Sequence, residues 1–305
     1  MNLYETEIPT PMVGISIPLF IEHGVHVFIK RDDLNHPTIQ GNKWHKLKLN
    51  LQAAQKQNKN CLITFGGAFS NHIAATALAA KQAGLKSIGY IRGDELADRP
   101  EKWSSTLINA SNNGMQLRFL DRQAYRAKDQ PDFVEKLRLE NPNAYLLPEG
   151  GSNQLAVDGF ATLMNDIEAQ CPNWTHLYTA VGTGGTLAGL LKNAQYQPNR
   201  YIHGVAVLKQ ADYLLPHIKQ WYKTDNKAVN WSLLTDYHDG GYGKLSTELQ
   251  HFKQTFESRF KIPLDPVYTT KMCYAFYQEL KLGHIPKGSK VVLLHTGGLQ
   301  GNTSN

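Results

Sequence analysis

The stretch LYTAVGTGGTLAG, residues 177–189, decides the fold, because an apolar strand pattern runs through a glycine-rich turn directly into a helical pattern. Residues 61–83 show the same order, with CLITF followed by GGAFS and a helix that stops before Gly84. Gly84 stands where a helix C-cap requires left-handed backbone. Strands that alternate with helices in this way predict an α/β fold of mostly parallel strands, whose crossover helices bury both faces of the sheet.

Further short apolar runs rich in β-branched residues continue this alternation. The predicted strands cover residues 25–29, 61–65, 87–91, 116–120, 177–181, 202–207 and 291–294. Proline and glycine cluster in PEGGSN at 148–153, which we interpret as a crossing between two lobes. Ligands of open α/β sheets bind beyond the carboxyl ends of the strands, so we expect the chemistry in the loops that follow these strands.

Composition excludes several classes of protein. The 305 residues, 41% hydrophobic and 19% charged, are typical of a soluble globular protein large enough for two compact lobes. No apolar run approaches the roughly 18 residues of a membrane span, and the acidic start MNLYETE does not resemble a secretion signal. The three cysteines are widely spaced, which argues against disulfides and zinc sites and predicts a cytoplasmic protein.

The net charge of +6 raises the question of nucleic-acid binding. Lysine and arginine are scattered, however, and the densest cluster, residues 43–48, lies within a helical pattern. We therefore predict neither a nucleic-acid nor a membrane partner. A small positive net charge is equally compatible with an enzyme that acts on small anions, because a positive electrostatic potential in a cleft raises the local concentration of such substrates.

The turn at 182–186, GTGGT, is a candidate anion site, since successive backbone amides form a concavity and the threonine hydroxyls add donors. Leu187 stands where a dinucleotide-binding fingerprint requires glycine, and the Gly-Lys-Ser/Thr of a P-loop is absent. The turn therefore predicts a site for one phosphate group on a small ligand. The alternative is a tight turn needed only for packing.

Two helix starts carry further candidate residues. Lys43 follows Gly41 at the start of a helix, close to unpaired amides and to Lys46, and these surroundings disfavour its ammonium form and free the amine to add to a carbonyl. Ser70 is placed to cap a helix whose first amides could bind a carboxylate or phosphate. The alternatives are a solvated lysine and a serine that only caps its helix.

Two loop segments contain tyrosines, DYHDGGYG at 236–243 and LDPVYT at 264–269. Exposed tyrosines could stack on an aromatic cofactor or transfer protons, whereas buried ones would belong to the core. HTGG at 295–298 follows the last predicted strand. The motifs HExxH, CxxC and GxSxG are absent, so we predict neither a catalytic metal nor a serine triad.

One family carries these motifs in the same order. They are GNKxxKL (41–47), SNH (70–72), GGSN (150–153), GTGGTLAG (182–189), GYG (241–243), DPVY (265–268) and HTGG (295–298). The chain, from about Ile29 to Gly298, thus resembles the pyridoxal-phosphate enzymes of the tryptophan synthase β fold. Within them it is most similar to the group of D-cysteine desulfhydrases and 1-aminocyclopropane-1-carboxylate deaminases.

The resemblance implies pyridoxal 5'-phosphate as cofactor, bound between two lobes of a type II fold, an α/β fold with two open, twisted, mostly parallel sheets and flanking helices. It also implies a larger cofactor-binding domain of residues 1–45 and 154–305 and a smaller domain of residues 46–153. The expected partners are a small amino-acid substrate and a second copy of the chain in a homodimer.

The same resemblance implies roles for individual residues. Lys43 would bind the cofactor aldehyde covalently, Asn71 would contact the ring hydroxyl, and Thr296 would face the ring nitrogen. The residues expected to bind the cofactor phosphate are Lys46, Gly182, Thr183, Gly184, Gly185 and Thr186. Those expected to contact substrate are Ser70, Asn71, His72 and Thr269, and those expected to be catalytic are Lys43, Ser70, Tyr242 and Tyr268.

Thr296 favours elimination, because a neutral hydroxyl leaves the pyridine nitrogen largely unprotonated and the ring a weak electron sink. In the sequence patterns of the family, the cyclopropane deaminases have glutamate at the position of Thr269 and leucine at the position of Thr296. The desulfhydrases have a small hydroxyl residue and a threonine there, so both positions of this chain resemble the desulfhydrases. The departures from the family pattern are His45 for arginine, Phe69 for glutamine and Thr270 for glycine.

We therefore predict a pyridoxal-phosphate-dependent lyase that carries out α,β-elimination on a small D-amino acid, with D-cysteine converted to pyruvate, hydrogen sulfide and ammonia as the leading case. One alternative is a 1-aminocyclopropane-1-carboxylate deaminase. An alternative of a different class is a catalytically silent protein that binds pyridoxal phosphate or another anionic metabolite.

Overall fold

The structure is a computed structural model that describes residues 9–36, 39–223 and 229–299. Ten β-strands and twelve α-helices alternate within these ranges. The strands are β1 (Met12–Ile15), β2 (His26–Lys30), β3 (Cys61–Gly67), β4 (Lys86–Arg92), β5 (Met115–Leu120), β6 (Ala144–Leu146), β7 (His176–Val181), β8 (Tyr201–Ala206), β9 (Asn230–Leu234) and β10 (Lys290–Leu294). The helices are α1 (Pro18–Glu22), α2 (Asn42–Lys56), α3 (Asn71–Gln82), α4 (Ser105–Asn112), α5 (Arg122–Arg126), α6 (Pro131–Glu140), α7 (Gln154–Asp158), α8 (Ala161–Gln170), α9 (Gly185–Asn193), α10 (Leu214–Trp221), α11 (Thr247–Phe260) and α12 (Thr269–Lys281).

The larger sheet contains six strands in the order β1-β2-β10-β7-β8-β9, and every pair except β1 with β2 is parallel. All residues of the central strand β7 are buried, as expected where helices cover both faces. Leu177 and Val181 of this strand join the apolar core on one face, and Tyr178 and Ala180 join the core on the other. The period-2 alternation of a strand thus divides β7 between two cores.

The smaller sheet contains four parallel strands in the order β5-β4-β3-β6. Helix α3 follows β3 and packs on it, with Ser70 as N-cap and Gly84 at φ +70° just beyond the helix, as the sequence predicted. The predicted architecture of two mostly parallel sheets with flanking helices is confirmed. The limits of the two domains, residues 46 and 153, stay a proposal, although the strands of the smaller sheet all fall between them.

Three strands were not predicted from the sequence, β1, β6 and β9. Each lies at an edge of its sheet, and most of their residues are half-buried or exposed. An edge strand buries less apolar surface than a central one, so its sequence lacks the continuous apolar run by which the central strands were found.

Among the described helices none has both the length and the apolar character required to cross a bilayer. The acidic start of the chain, residues 1–8, lies outside the described residues.

Helix α2 begins directly against the loop that follows β10. The backbone amide of Asn42 donates to the carbonyl of Thr296 at 3.3 Å, and Gly41 precedes it with φ +64° and ψ −143°. A Cβ on Gly41 would lie 2.0 Å from the Thr296 carbonyl oxygen. Only glycine fits here, and this close approach sets the first turn of α2, with Lys43, beside the carboxyl end of the larger sheet.

Gly41→Ala is therefore expected to lower the free energy of unfolding by roughly 3–5 kcal/mol, through backbone strain and overlap with the Thr296 carbonyl. Gly84→Ala is the matched control, because Gly84 also has positive φ but no atom lies within 4 Å of a Cβ built there. Its expected cost is about 1–2 kcal/mol. Urea denaturation measures both, and equal losses in the two variants would contradict the close packing at Gly41.

Candidate active site

A cavity of about 1130 Å³ lies between the two sheets. Its walls come from the loops that follow the carboxyl ends of β3, β4, β6, β7 and β10, together with the first turns of α2 and α3. The predicted site residues that line it are Lys43, Lys46, Ser70, Asn71, His72, Gly182, Thr183, Gly184, Thr186, Tyr242, Tyr268 and Thr296. The fold thus brings together side chains that are more than 250 residues apart in the chain, as expected for the crevice of parallel sheets.

Lys43 extends from the first turn of α2 into this cavity. Its Nζ donates to Oδ1 of Asn42 at 2.7 Å and lies 5.9 Å from the centre of the Tyr268 ring. Loss of solvent lowers the pKa of Lys43 to about 8, although the carboxylate of Asp265 acts in the opposite direction. The neutral, nucleophilic amine is therefore accessible near physiological pH.

Lys46, one helical turn further along α2, is buried. Its Nζ donates to the Gly150 carbonyl at 3.1 Å and to Oγ of Ser152 at 3.0 Å, with Oγ1 of Thr183 at 3.5 Å. Burial and the charge of Lys43 lower the pKa of Lys46 well below its usual range. Within the described residues it forms no ion pair with a carboxylate, and a bound anion would stabilise its charged form.

Two glycines leave room for the side chains of Ser152 and Thr183 beside Lys46. A Cβ on Gly185 would lie 2.5 Å from Oγ of Ser152, and one on Gly150 would lie 2.8 Å from Cγ2 of Thr183. Gly184 caps α9 in the left-handed conformation and brings no side chain to the free amides of the first turn. Ser152, Thr183, Lys46 and these amides form a cradle suited to a phosphate-sized anion. Gly185 itself does not line the cavity and acts through this close packing.

The start of α3 offers a second group of free amides. Ser70 is the N-cap, but its hydroxyl accepts no hydrogen bond from the helix and faces the cavity with Asn71. His72 is buried, and its Nε2 lies 2.7 Å from Oγ1 of Thr64. Burial, together with the charges of Lys46 and Lys43, lowers the pKa of His72 well below its usual range, so the ring is neutral.

Tyr242 and Tyr268 form an edge-to-face pair, with ring centres 6.1 Å apart. A Cβ on Gly182 would lie 3.3 Å from the Tyr268 ring, so Tyr268 packs close to the turn after β7. The Tyr242 hydroxyl donates to the carbonyl of Phe69 at 3.2 Å. This bond joins the loop of the larger sheet to the β3–α3 turn of the smaller sheet, while the Phe69 side chain is 67% exposed.

Lys271, which sequence reasoning did not single out, anchors the loop that carries Tyr242. It is fully buried on α12, and its Nζ donates to the carbonyls of His238 and Gly241, each at 2.8 Å. Asp239, with φ +52°, and Gly240, with φ +83°, lie between these two acceptors in left-handed conformations. A buried ammonium therefore holds together a turn of unfavourable backbone geometry.

Asp265 is a second residue to which sequence reasoning gave no role, although it belongs to the DPVY motif. It accepts hydrogen bonds from the amides of Val267 and Tyr268, and burial raises its pKa to about 6. Its neighbour Thr269 does not line the cavity. The Thr269 side chain is fully buried, and its Oγ1 bonds the backbone amide and carbonyl of Asp265. The structure thus places Thr269 in the support of Tyr268 rather than among groups that reach a ligand.

Thr296 closes the site next to Lys43. It follows β10, is buried, and lines the cavity with Gly297 and Gly298. A Cβ on Gly298 would lie 2.9 Å from Nδ2 of Asn71, so the loop after β10 approaches the start of α3 closely.

A model of the family described as "pyridoxal-phosphate dependent enzyme" matches residues 3–297. The chain belongs to this family. A Pyrococcus horikoshii protein named putative 1-aminocyclopropane-1-carboxylate deaminase is 30% identical over 92% of this chain and 86% of its own length. An Arabidopsis thaliana protein named bifunctional D-cysteine desulfhydrase/1-aminocyclopropane-1-carboxylate deaminase, mitochondrial, is 28% identical over 96% of this chain and 77% of its own length.

Solved structures agree with this family. A crystal structure of a 1-aminocyclopropane-1-carboxylate deaminase homologue superposes with a TM-score of 0.77 and 28% identity, over 97% of this chain and 91% of the other. Processed threonine deaminase isoform 2 of Solanum lycopersicum, at 14% identity and a TM-score of 0.69, covers 97% of this chain and 81% of its own and shares the fold. The predicted family, type II fold and pyridoxal-phosphate-dependent activity are confirmed.

Pyridoxal phosphate is the cofactor of this family, and the residues present fit it. The uncapped first turn of α9, Thr183, Ser152 and the uncompensated Lys46 form a cradle for its phosphate, and Lys43 offers an amine of lowered pKa for its aldehyde. The role of each residue stays a prediction.

In the cofactor-free protein, acetylation of Lys43 by acetic anhydride should increase as the pH rises through about 8 and level off above it, since only the neutral amine reacts. Competitive labelling followed by mass spectrometry of the peptide measures the midpoint. Asp265→Asn should move the midpoint to lower pH, because the carboxylate that favours the ammonium form is removed. A midpoint near 10.5 in the wild-type protein, the ordinary value for lysine, would contradict the buried amine.

Lys271→Met removes two charge-assisted hydrogen bonds and should lower the free energy of unfolding by about 3 kcal/mol. Backbone amides of residues 238–243 should exchange hydrogen at least about tenfold faster, because the turn opens locally. Lys30→Met is the control, since Lys30 is equally buried and donates to the Thr10 carbonyl at 2.7 Å and to Gln170, away from this loop. Equal exchange of the loop amides in both variants would show that Lys271 does not hold the turn.

Proposed function

We propose that this enzyme is a lyase that carries out α,β-elimination on a small amino acid and releases ammonia, with D-cysteine as the leading substrate. The observation that carries the proposal is the position of the Lys43 amine, with its lowered pKa, beside Tyr268 and in the same cavity as two helix starts with free amides. The names of the relatives support this reaction class but divide between D-cysteine and 1-aminocyclopropane-1-carboxylate as substrate.

The residues of the site have separate roles in this reaction. Bound pyridoxal phosphate would supply an aldehyde that reacts with amines and a ring that withdraws electrons from the α-carbon of the substrate. Lys46, Thr183 and the first turn of α9 hold the phosphate, and the amides at the start of α3, with Ser70, bind the substrate carboxylate. Because its pKa is near 8, Lys43 can accept the α-proton at Nζ and release it again at physiological pH.

The tyrosine pair supports this step. Burial raises the pKa of both Tyr242 and Tyr268, so each hydroxyl stays protonated and acts as a hydrogen-bond donor. Tyr268 lies close enough to Lys43 for its ring to favour the charged form of the amine after proton uptake. The edge-to-face contact with Tyr242 fixes the orientation of the Tyr268 ring.

D-cysteine is preferred to 1-aminocyclopropane-1-carboxylate as substrate because of Thr269. The resemblance places a glutamate here in the cyclopropane deaminases, where an acid assists ring opening. In this chain the side chain is a hydroxyl that is fully buried and bonded to the backbone of Asp265, so it offers no acid to the cavity. The cyclopropane deaminase remains the second candidate, because several relatives carry that name.

The cytoplasm and a homodimer are proposed as the setting of this reaction. The free thiols of Cys61, Cys171 and Cys273 support a reducing compartment. Size-exclusion chromatography with light scattering tests the dimer.

The function is tested by assaying the cofactor-loaded enzyme with D-cysteine, L-cysteine and 1-aminocyclopropane-1-carboxylate. Sulfide and pyruvate are expected from D-cysteine, and 2-oxobutanoate from the cyclopropane would instead indicate the deaminase. Lys43→Ala should abolish turnover, and Tyr268→Phe should lower kcat by roughly 10²–10⁴-fold, the usual contribution of a proton-transferring or donor group.

Lys48→Met serves as the control in the same helix, because Lys48 donates to Oγ1 of Thr162 and does not line the cavity. It should retain turnover. Absence of turnover on every amino acid tested, by enzyme that has taken up pyridoxal phosphate, would leave the silent binding protein as the remaining interpretation.

A further inference from the structure

Arg92 lies on the wall of the cavity, at a position to which neither the proposed reaction nor the cofactor assigns a role. It is the last residue of β4 and pairs in register with Gly67, the last residue of β3. A Cβ on Gly67 would lie 3.9 Å from Nη2 of Arg92. Because Gly67 has no side chain, the Arg92 guanidinium can lie next to the turn that carries Ser70. Both residues line the cavity.

Arg92 is exposed, and within the described residues its guanidinium forms no hydrogen bond and no ion pair. It lies over the face of Tyr125, 6.0 Å from the ring centre. An arginine has five N–H donors in a planar fork that matches a carboxylate. An arginine on the wall of a cavity that binds small anions is therefore available to a ligand.

The carboxylates that line the cavity are already bound by other groups. Glu149 accepts a hydrogen bond from the Tyr125 hydroxyl at 2.8 Å and lies 3.2 Å from Nζ of Lys128. Asp129 lies 2.7 Å from the same Lys128 Nζ. Lys128 offsets one of these two negative charges, and both carboxylates have contacts of their own, so neither is paired with Arg92.

Arg92 also acts on the residues of the proposed reaction. Its charge opposes the rise in the pKa of Tyr242 that burial causes, which places the guanidinium within electrostatic reach of that hydroxyl. The phosphate cradle contains Lys46, and the α-carboxylate of a substrate has the amides at the start of α3. Arg92 is thus a further cationic group, separate from these two, and D-cysteine has no second anion to occupy it.

We propose that Arg92 binds a second anionic group, on the side chain of the amino-acid substrate. This inference rests on the proposed function and narrows it: the preferred substrates are amino acids whose β-substituent ends in a carboxylate or a comparable anion. D-cysteine is then a small substrate that the site turns over without using this contact.

The test compares S-carboxymethylcysteine with S-carbamoylmethylcysteine, in both D and L forms, on the cofactor-loaded enzyme. The two compounds have the same size and the same C–S bond to break, and they differ only by a carboxylate in place of an amide. Pyruvate is the common product and is measured for both. We expect kcat/KM to favour the carboxylate by about 10- to 100-fold, the usual effect of one charge-assisted contact.

Arg92→Gln should remove this preference, because one uncharged donor in place of the guanidinium forfeits the charge-assisted contact that only the carboxylate compound makes. Arg92→Lys keeps the positive charge but loses the planar, two-pronged guanidinium, so it should retain part of the preference for the carboxylate. Arg118→Gln is the matched control, since Arg118 lies within the adjacent strand β5, donates to the Tyr90 hydroxyl at 2.9 Å, and does not line the cavity. It should leave the preference unchanged.

A wild-type enzyme without preference for the carboxylate, or an Arg92→Gln variant that keeps it, would overturn the inference. If neither compound is turned over, the proposed elimination fails for them, and calorimetric binding of the same two compounds to wild type and Arg92→Gln decides about Arg92 alone. Tighter binding of the carboxylate that is lost in Arg92→Gln supports the anion contact, and equal binding of both compounds, or of neither, rejects it.

Discussion

The burial of two amines, on Lys43 and Lys46, is the constraint on which the rest of the site depends. The two side chains extend from one helical turn into the same cavity, burial lowers the pKa of both, and within the described structure Lys46 has no carboxylate partner. A buried amine can exist without a charge, or it can be charged beside an anion. Lys43, with a pKa of about 8, is available as a neutral nucleophile, while Lys46, with Ser152 and Thr183, is arranged to receive an anion. The cradle and the reactive amine are thus two consequences of the same burial.

The sequence predicted much of this site because the signals that mark it are local. A glycine turn after an apolar strand, at 66–70 and at 182–185, predicts the end of the strand and the free amides of the following helix, although β3 continues to Gly67, two residues beyond the predicted end. Parallel strands bring the turns of each sheet to its carboxyl edge, and residues from both edges line the cavity. The central strands were found for the same reason, since both of their faces are buried and their sequences are continuously apolar.

The parts that were missed depend on partners distant in the chain. Thr269 was expected at the substrate, yet it bonds the backbone of Asp265, and only the start of α12 shows why. Lys271 reads as an ordinary helical lysine until its two carbonyl acceptors, about 30 residues away, are brought to it. Arg92 likewise becomes notable only when the carboxylates on the cavity wall are seen to be bound to Lys128. Edge strands β1, β6 and β9 lack the apolar run that would have marked them.

The hydrogen bond from Tyr242 to residue 69 links the two halves of the molecule through a main-chain oxygen. Every amino acid supplies that acceptor, so the exposed phenyl group of Phe69 can be replaced by another side chain without loss of the bond. The surface beside this link between the two sheets can therefore vary in sequence while the link itself is kept.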